Sequence, residues 1–175
     1  HMAKLVRDHG GFHADADAGV MIAQVQVVDV PDLDAGERAL LKGRAQLLAR
    51  ANAEHPNMAA RGGGAHDIEV RVFREPWPML VLHLLVDCCD AMGANAVNAM
   101  AEGVAPLVEQ LTGGRVYLRI LSNLADRRLA RARCAVPFEA LANRTFDGAA
   151  VAEGIVHAWR FAAVCPYRAA THNKG

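Results

Sequence analysis

Asp90-Ala91-Met92-Gly93-Ala94-Asn95 stands between an apolar run and an amphipathic one, where a strand would turn into a helix. A glycine there lets the backbone approach a ligand closely. An asparagine two residues on can cap the incoming helix, and the open amides of a helix's first turn attract an anion such as pyrophosphate. On local chemistry alone, the same hexapeptide also suits an ordinary strand-to-helix turn. The chain has no G-x-G-x-x-G and no G-x-x-x-x-G-K-[ST], which disfavours a Rossmann fold and a P-loop. Gly62-Gly63-Gly64 precedes a strand pattern instead of opening a helix, and reads as a flexible turn.

Other reactive groups give weaker signals. His9 and His13 are four apart, but Gly10 and Gly11 between them oppose a helix, so the pair is not expected to present a metal-binding face. His83 interrupts an apolar run and reads as a hydrogen-bonded core residue. Cys88, Cys89, Cys134 and Cys165 lack C-x-x-C spacing, so buried reduced thiols are expected, in keeping with a cytoplasmic location. Nineteen Lys+Arg balance nineteen Asp+Glu, so no net field favours nucleic acid or an acidic membrane, and an anionic ligand must be held by local groups. Aromatics make up 5% of the chain, too few for the stacking surface of an RNA-binding sheet. The apolar stretch Met79 to Val86 is far short of the roughly 20 residues a membrane helix needs.

The elements that must position these groups can be read from periodicity. With 175 residues, 53% of them hydrophobic, the chain can bury the core of one domain, or of one domain and parts of another. Val20 to Val30 is a β-branched strand, with Gln24 and Gln26 marking its polar face. Asp32 or Asp34 then caps a helix running to about Asn52, with Leu40, Leu41, Leu47 and Leu48 as its buried stripe. Asp67 to Phe73 alternates as a half-buried strand and pairs with Met79 to Val86 across a Pro-Trp-Pro corner. Ala96 to Leu111 is a helix stopped by Gly113-Gly114, and Arg115 to Ser122 is a fourth strand. Strand, helix, strand, strand, helix, strand is the split βαβ order of a ferredoxin-like domain, here spanning residues 20–123: an α+β fold with two helices on an antiparallel sheet. Arg127 to Val136 reads as another strand and Gly148 to Val164 as a helix with Ile155, Val156, Trp159 and Ala163 on one side. Residues 124–175 are therefore expected to be part of a different, incomplete domain, to which residues 1–19 are a further segment or a linker.

Three segments carry a family resemblance. VDCCDAMGANAVNAMAE (Val86 to Glu102) resembles the cofactor signature of hydroxymethylglutaryl-CoA (HMG-CoA) reductases, in which a DAMG-x-N turn receives a nicotinamide dinucleotide. PYRAATHNKG (Pro166 to Gly175) is similar to the stretch of the class II, bacterial branch where an Arg binds the substrate's terminal carboxylate and a Lys performs catalysis. LRILSNLADRRLARA (Leu118 to Ala132) resembles the strand leaving the small domain, whose Asn lies near nicotinamide and substrate. The similarity runs from MAKL at Met2 to the final NKG.

The resemblance implies a function. Asp90, Ala91, Met92, Gly93, Asn95 and Asn123 would contact the cofactor, NAD(H) or NADP(H). Glu54 or His55 falls where the family has an acidic residue on the adenosine ribose. Glu54 would keep a preference for NAD(H) by repelling a 2′-phosphate and His55 would blur it, so NAD(H) is only slightly preferred. Arg168, with Thr171, would bind substrate by charge-assisted hydrogen bonds, and the ammonium of Lys174 would stabilise the oxyanion of a thioester carbonyl. The reaction implied interconverts HMG-CoA and mevalonate, with release or uptake of CoA and two equivalents of NAD(P)H. The family's catalytic Glu precedes the MAKL segment, and its Asp and His follow NKG. The chain is thus expected to be a fragment, inactive alone, whose partners are the remainder of the large domain and further copies in a homo-oligomer, with no nucleic acid and no membrane. The alternative is a stand-alone ferredoxin-like module that binds a small molecule without catalysis.

Overall fold

The computed structural model of this chain describes residues 2–173. In chain order the elements are α1 (Met2–Arg7), β1 (His13–Ala16), β2 (Val20–Val28), α2 (Leu33–Lys42), α3 (Arg44–Glu54), α4 (Pro56–Ala60), β3 (Gly64–Phe73), β4 (Met79–Asp87), α5 (Ala94–Thr112), β5 (Arg115–Leu121), β6 (Ala130–Arg133), α6 (Phe138–Leu141), α7 (Gly148–Val164) and α8 (Pro166–His172). They form two compact units, Ala16–Ala130 and a second made of His1–Asp15 with Arg131–Gly175.

The Ala16–Ala130 unit is built on a four-stranded sheet in the order β3-β4-β2-β5, with every neighbouring pair antiparallel. Side chains alternate along each strand, so Val25 and Val27 on β2 and Leu80, Leu82, Leu84 and Val86 on β4 share one face and are fully buried. Val97, Met100, Val104 and Val108 of α5 and Leu40 and Leu47 of α2 and α3 close the same core. Gln24, His83 and Glu69 lie side by side in register on the other face.

The long first helix expected up to Asn52 is instead broken at Gly43. A Cβ there would lie 2.7 Å from Leu111 Cδ1, so the chain must narrow where it meets α5, and Gly43 is at once the C-cap of α2 and the N-cap of α3. The break also reassigns the stripe: Leu40 and Leu47 are buried, Leu48 is half-buried and Leu41 is exposed. Asp32 caps α2, accepting the Ala35 amide at 2.9 Å, while the Asp34 carboxylate pairs with Arg74.

In the other unit, α7 packs against α6 and α8. The strand expected over residues 127–136 shortens to β6, which pairs with β1 in a two-stranded ribbon. The side of α7 that carries Ile155, Val156 and Trp159 is open: all three are exposed. No described helix is long and apolar enough to cross a membrane.

Candidate functional site

β4 ends at Asp87, which pairs with Val20 at the start of β2 and with Gly64 at the start of β3. The turn beyond it is shaped by local hydrogen bonds. Asp87 Oδ1 accepts the Cys89 amide at 2.8 Å, which holds Cys89 at φ 51°, and the Ala91 amide donates to the Cys88 carbonyl at 3.0 Å. Gly93 follows at φ 88°, and a Cβ on it would lie 2.5 Å from Cys88 Sγ and 2.7 Å from Met21 Sδ. Only glycine supplies both this left-handed conformation and this lack of bulk.

Gly93 is itself the N-cap of α5, and no side chain caps that helix. Asn95, expected as the cap, is the second helical residue and is exposed. The reason is geometric: the chain enters the helix through a left-handed residue, so no side chain precedes the first turn in capping position. The first turn also lacks acidic residues. Nineteen aligned peptide units thus end at an uncapped N-terminus, a local positive pole suited to an anion. Asp90 and Met92 are exposed beside it and Ala91 is half-buried.

Two further groups share this end of the sheet. β5 leaves through Leu121, whose amide donates to Asn98 Oδ1 on α5 at 2.9 Å, and Ser122 donates to the Ile22 carbonyl, so the exposed Asn123 emerges near the start of β2. Farther along this segment, Arg127 donates to Glu69 at 2.5 Å. On the opposite side, the junction of α3 and α4 holds Glu54 and His55. Glu54 is engaged: Arg50 Nη1 lies 2.5 Å from its Oε1, and its carboxyl packs against Gly103 of α5. His55 ends α3 and begins α4, half-buried.

The glycine run turns at the exposed Gly62, where a side chain would meet nothing, but Gly63 and Gly64 form a close-packed passage. A Cβ on Gly63 would lie 2.6 Å from Cys89 Sγ, 2.8 Å from the Asp87 carbonyl and 3.2 Å from Met58 Cγ of α4. Gly64, at φ 94°, faces Asn52 Oδ1 at 2.3 Å from its ideal Cβ position. Asn52 escaped sequence reading because it is one polar residue on an amphipathic helix. Its carboxamide donates to the Ala65 carbonyl at 2.9 Å and accepts the Ala65 amide at 2.8 Å.

Of the four thiols expected to be buried, only Cys88 is; burial pushes its pKa up. Cys89 and Cys134 are exposed and Cys165 is intermediate. His83 is half-buried, with Nε2 3.0 Å from Gln24 Nε2 and Nδ1 buried without a partner. His9 and His13 are separated by Gly10 and Gly11, both at positive φ, so no helical face joins them.

The substrate residues suggested by resemblance lie in the other unit, on α8. Arg168 and Thr171 are three residues apart and so share a face of the helix. The Arg168 guanidinium stands over the Phe161 ring, 5.4 Å from its centroid, and the Thr171 hydroxyl donates to the Tyr167 carbonyl at 3.1 Å. Lys174 lies outside the described residues.

Fold and site together define an α+β protein with an anion-receptive turn at one end of an antiparallel sheet. Comparison with known proteins narrows the class: the family model for hydroxymethylglutaryl-coenzyme A reductase matches residues 1–175, and the chain belongs to that family. It is 46% identical over 174 residues to the 3-hydroxy-3-methylglutaryl-coenzyme A reductase of Archaeoglobus fulgidus, covering 99% of this chain and 39% of that protein. To the probable reductase of Borreliella burgdorferi it is 35% identical over 119 residues, 68% of this chain and 27% of the relative. Among solved structures, the class II enzyme of Streptococcus pneumoniae bound to NADPH in open conformations superposes with a TM-score of 0.92 at 38% identity, over 98% of this chain and 46% of that one. The chain therefore spans less than half the length of these relatives.

Proposed function

We propose that this chain supplies the nicotinamide-dinucleotide site, and part of the substrate site, of an oxidoreductase that interconverts HMG-CoA and mevalonate. The observation that carries this reading is the uncapped start of α5 behind the left-handed Gly93, in a chain matched by the family model from end to end. On this reading the antiparallel sheet and its helices are a ferredoxin-like split βαβ small domain, residues 20–123, and residues 1–19 and 124–175 belong to a large domain. Residues 90–95 fit the cofactor: the first-turn amides take the pyrophosphate, the Asp90 carboxylate accepts from ribose hydroxyls, and the left-handed Gly93, packed against Cys88 and Met21, sets the entry into that first turn. Asn123 borders the nicotinamide end.

A bound nicotinamide supplies the hydride. Arg168 holds the substrate carboxylate, with Thr171 beside it on the same helix face, and Lys174 stabilises the carbonyl oxyanion. Because Arg50 already pairs with Glu54, that carboxylate offers little repulsion to a 2′-phosphate, and His55 is the residue nearer the choice. Both NAD(H) and NADP(H) are accepted, with at most a slight preference for NAD(H). The partners are the remainder of the large domain and further copies of the chain, in the cytoplasm. The exposed apolar groups of α7 support such a covering polypeptide.

Titration of the purified chain with NADH and NADPH tests the proposal, with HMG-CoA turnover followed alongside. Binding is expected to weaken about tenfold in Asp90→Ala, the scale of a lost charged hydrogen bond, and by less in Asn95→Ala. A folded chain that binds neither dinucleotide refutes it and leaves the small-molecule module.

A further inference from the structure

We propose that Asn52 is a positioning residue for the dinucleotide, fixing the distance between the α3–α4 junction and the Asp90–Asn95 turn. This rests on the reading of that turn as the cofactor site.

A dinucleotide is an elongated ligand, with two nucleotides joined at a pyrophosphate. A protein that grips it at two places gains affinity only if those places are held at the matching separation. Here the two places belong to different elements. The turn hangs from the end of β4 and the start of α5, whereas His55 closes α3.

The connection between them can be traced atom by atom. Asn52, in the last turn of α3 and three residues before His55, uses both ends of its carboxamide on the backbone of Ala65, as a neighbouring strand would. β3 is an edge strand, so those backbone groups have no strand partner on that side. Gly64 pairs with Asp87, and Asp87 in turn holds the Cys89 amide that starts the turn. Gly63 donates its amide to the Met58 carbonyl of α4 at 3.1 Å, and a Cβ on it would lie 2.6 Å from Cys89 Sγ and 2.8 Å from the Asp87 carbonyl. Two successive glycines are needed because the chain passes between two walls: a side chain at Gly64 would strike Asn52, and one at Gly63 would strike Cys89. The α3–α4 junction is thereby tied to the turn through the Asn52 carboxamide on Ala65, the Gly63 amide on Met58 and the pairing of Gly64 with Asp87. Asn52 is the side chain in that series whose removal leaves the glycines and the sheet register unchanged.

Loss of the Asn52 contacts loosens this coupling while leaving the Gly63 amide on the Met58 carbonyl at 3.1 Å and each half of the site intact. The experiment titrates the full chain with NADH and, by NMR chemical-shift mapping, with 5′-AMP, in wild type and in Asn52→Ala. A second variant, Asn52→Asp, keeps an acceptor for the Ala65 amide but turns a carboxylate on its carbonyl. Dinucleotide affinity is expected to fall about tenfold in Asn52→Ala, a fraction of the roughly hundredfold that joining two half-sites confers, while AMP affinity changes less than about twofold. Asn52→Asp should shift the NADH-to-AMP ratio in the same direction. A variant with a native circular dichroism spectrum that weakens both ligands equally, or neither, overturns the role of Asn52 and leaves the cofactor reading intact. Failure of the wild-type chain to bind NADH overturns the cofactor reading itself, and the Asn52 role with it.

Discussion

The two units treat their apolar residues in opposite ways. In Ala16–Ala130 the core-facing apolar side chains of β2, β4 and α5 are sealed, with Leu80, Leu82, Leu84 and Met100 at 0% exposure. On α7, by contrast, Trp159 is 62% exposed and Val164 80%, and among its described residues only Gly148 is buried. Both regions carry helical apolar periodicity. The difference shows that such periodicity marks a face that has to be covered, without saying by what. The core face of the sheet is covered within its own unit, whereas α7, as apolar as a core helix, packs on α6 and α8 and leaves Ile155, Val156 and Trp159 exposed.

The sharpest way to break this comparison is to truncate one large side chain in each unit. Leu82→Ala should cost about 3 kcal/mol, because it opens a cavity in a core that cannot collapse around it. Trp159→Ala, although it removes a larger group, should change the stability of the chain by less than about 0.5 kcal/mol. Urea denaturation followed by circular dichroism measures both. A large loss on removing Trp159 would mean that α7 is packed and the contrast is false.

Helix caps sharpen the comparison at a smaller scale. Asp32 and Asp147 each accept an amide three residues ahead, from Ala35 and Ala150, at the starts of α2 and α7. Asp32→Ala should lower the unfolding free energy by about 1 kcal/mol, since α2 closes the sheet core. Asp147→Ala should loosen α7 locally and leave the cooperative transition of Ala16–Ala130 unmoved, as read by amide hydrogen exchange.

The same contrast explains what could be read in the sequence. The strand and helix order of the sheet unit was legible because period-2 and period-3.6 patterns coincide with surfaces buried inside that unit, as at Val97, Met100, Val104 and Val108. The break at Gly43 was not, because it answers to Leu111, nearly seventy residues away in sequence. The turn at residues 90–95 was legible as a motif, yet Asn95 was misjudged: the left-handed φ of Gly93 makes the glycine the cap, and sequence does not display φ. Asn52 and Asn98 were missed because each acts on the backbone of one residue distant in sequence, Ala65 and Leu121, which leaves no periodic trace.

The smallest expected effect concerns His83, on the sheet face opposite the core. Burial lowers its pKa from the ordinary value of 6.5, and Arg71 adds to this, as does Arg127; Glu69 and Asp126 oppose the shift. The geometry agrees. The Gln24 amide faces Nε2, so a proton added there would meet a donor, and Nδ1 has no partner to stabilise a charge. Below pH 6.5 the unfolded chain therefore takes up the proton before the folded chain does. The contribution of His83 to stability is complete above that pH and is lost as the pH falls through the lowered folded value. This contribution should be the smallest of these effects, because the ring is only half-buried. Denaturation midpoints measured from neutral into mildly acidic buffer should decline in the wild type and less steeply in His83→Gln, which keeps a polar partner for Gln24 and does not titrate. Parallel declines in the two proteins would place the acid sensitivity elsewhere, in paired carboxylates such as Asp67, whose pKa is lowered by Arg44.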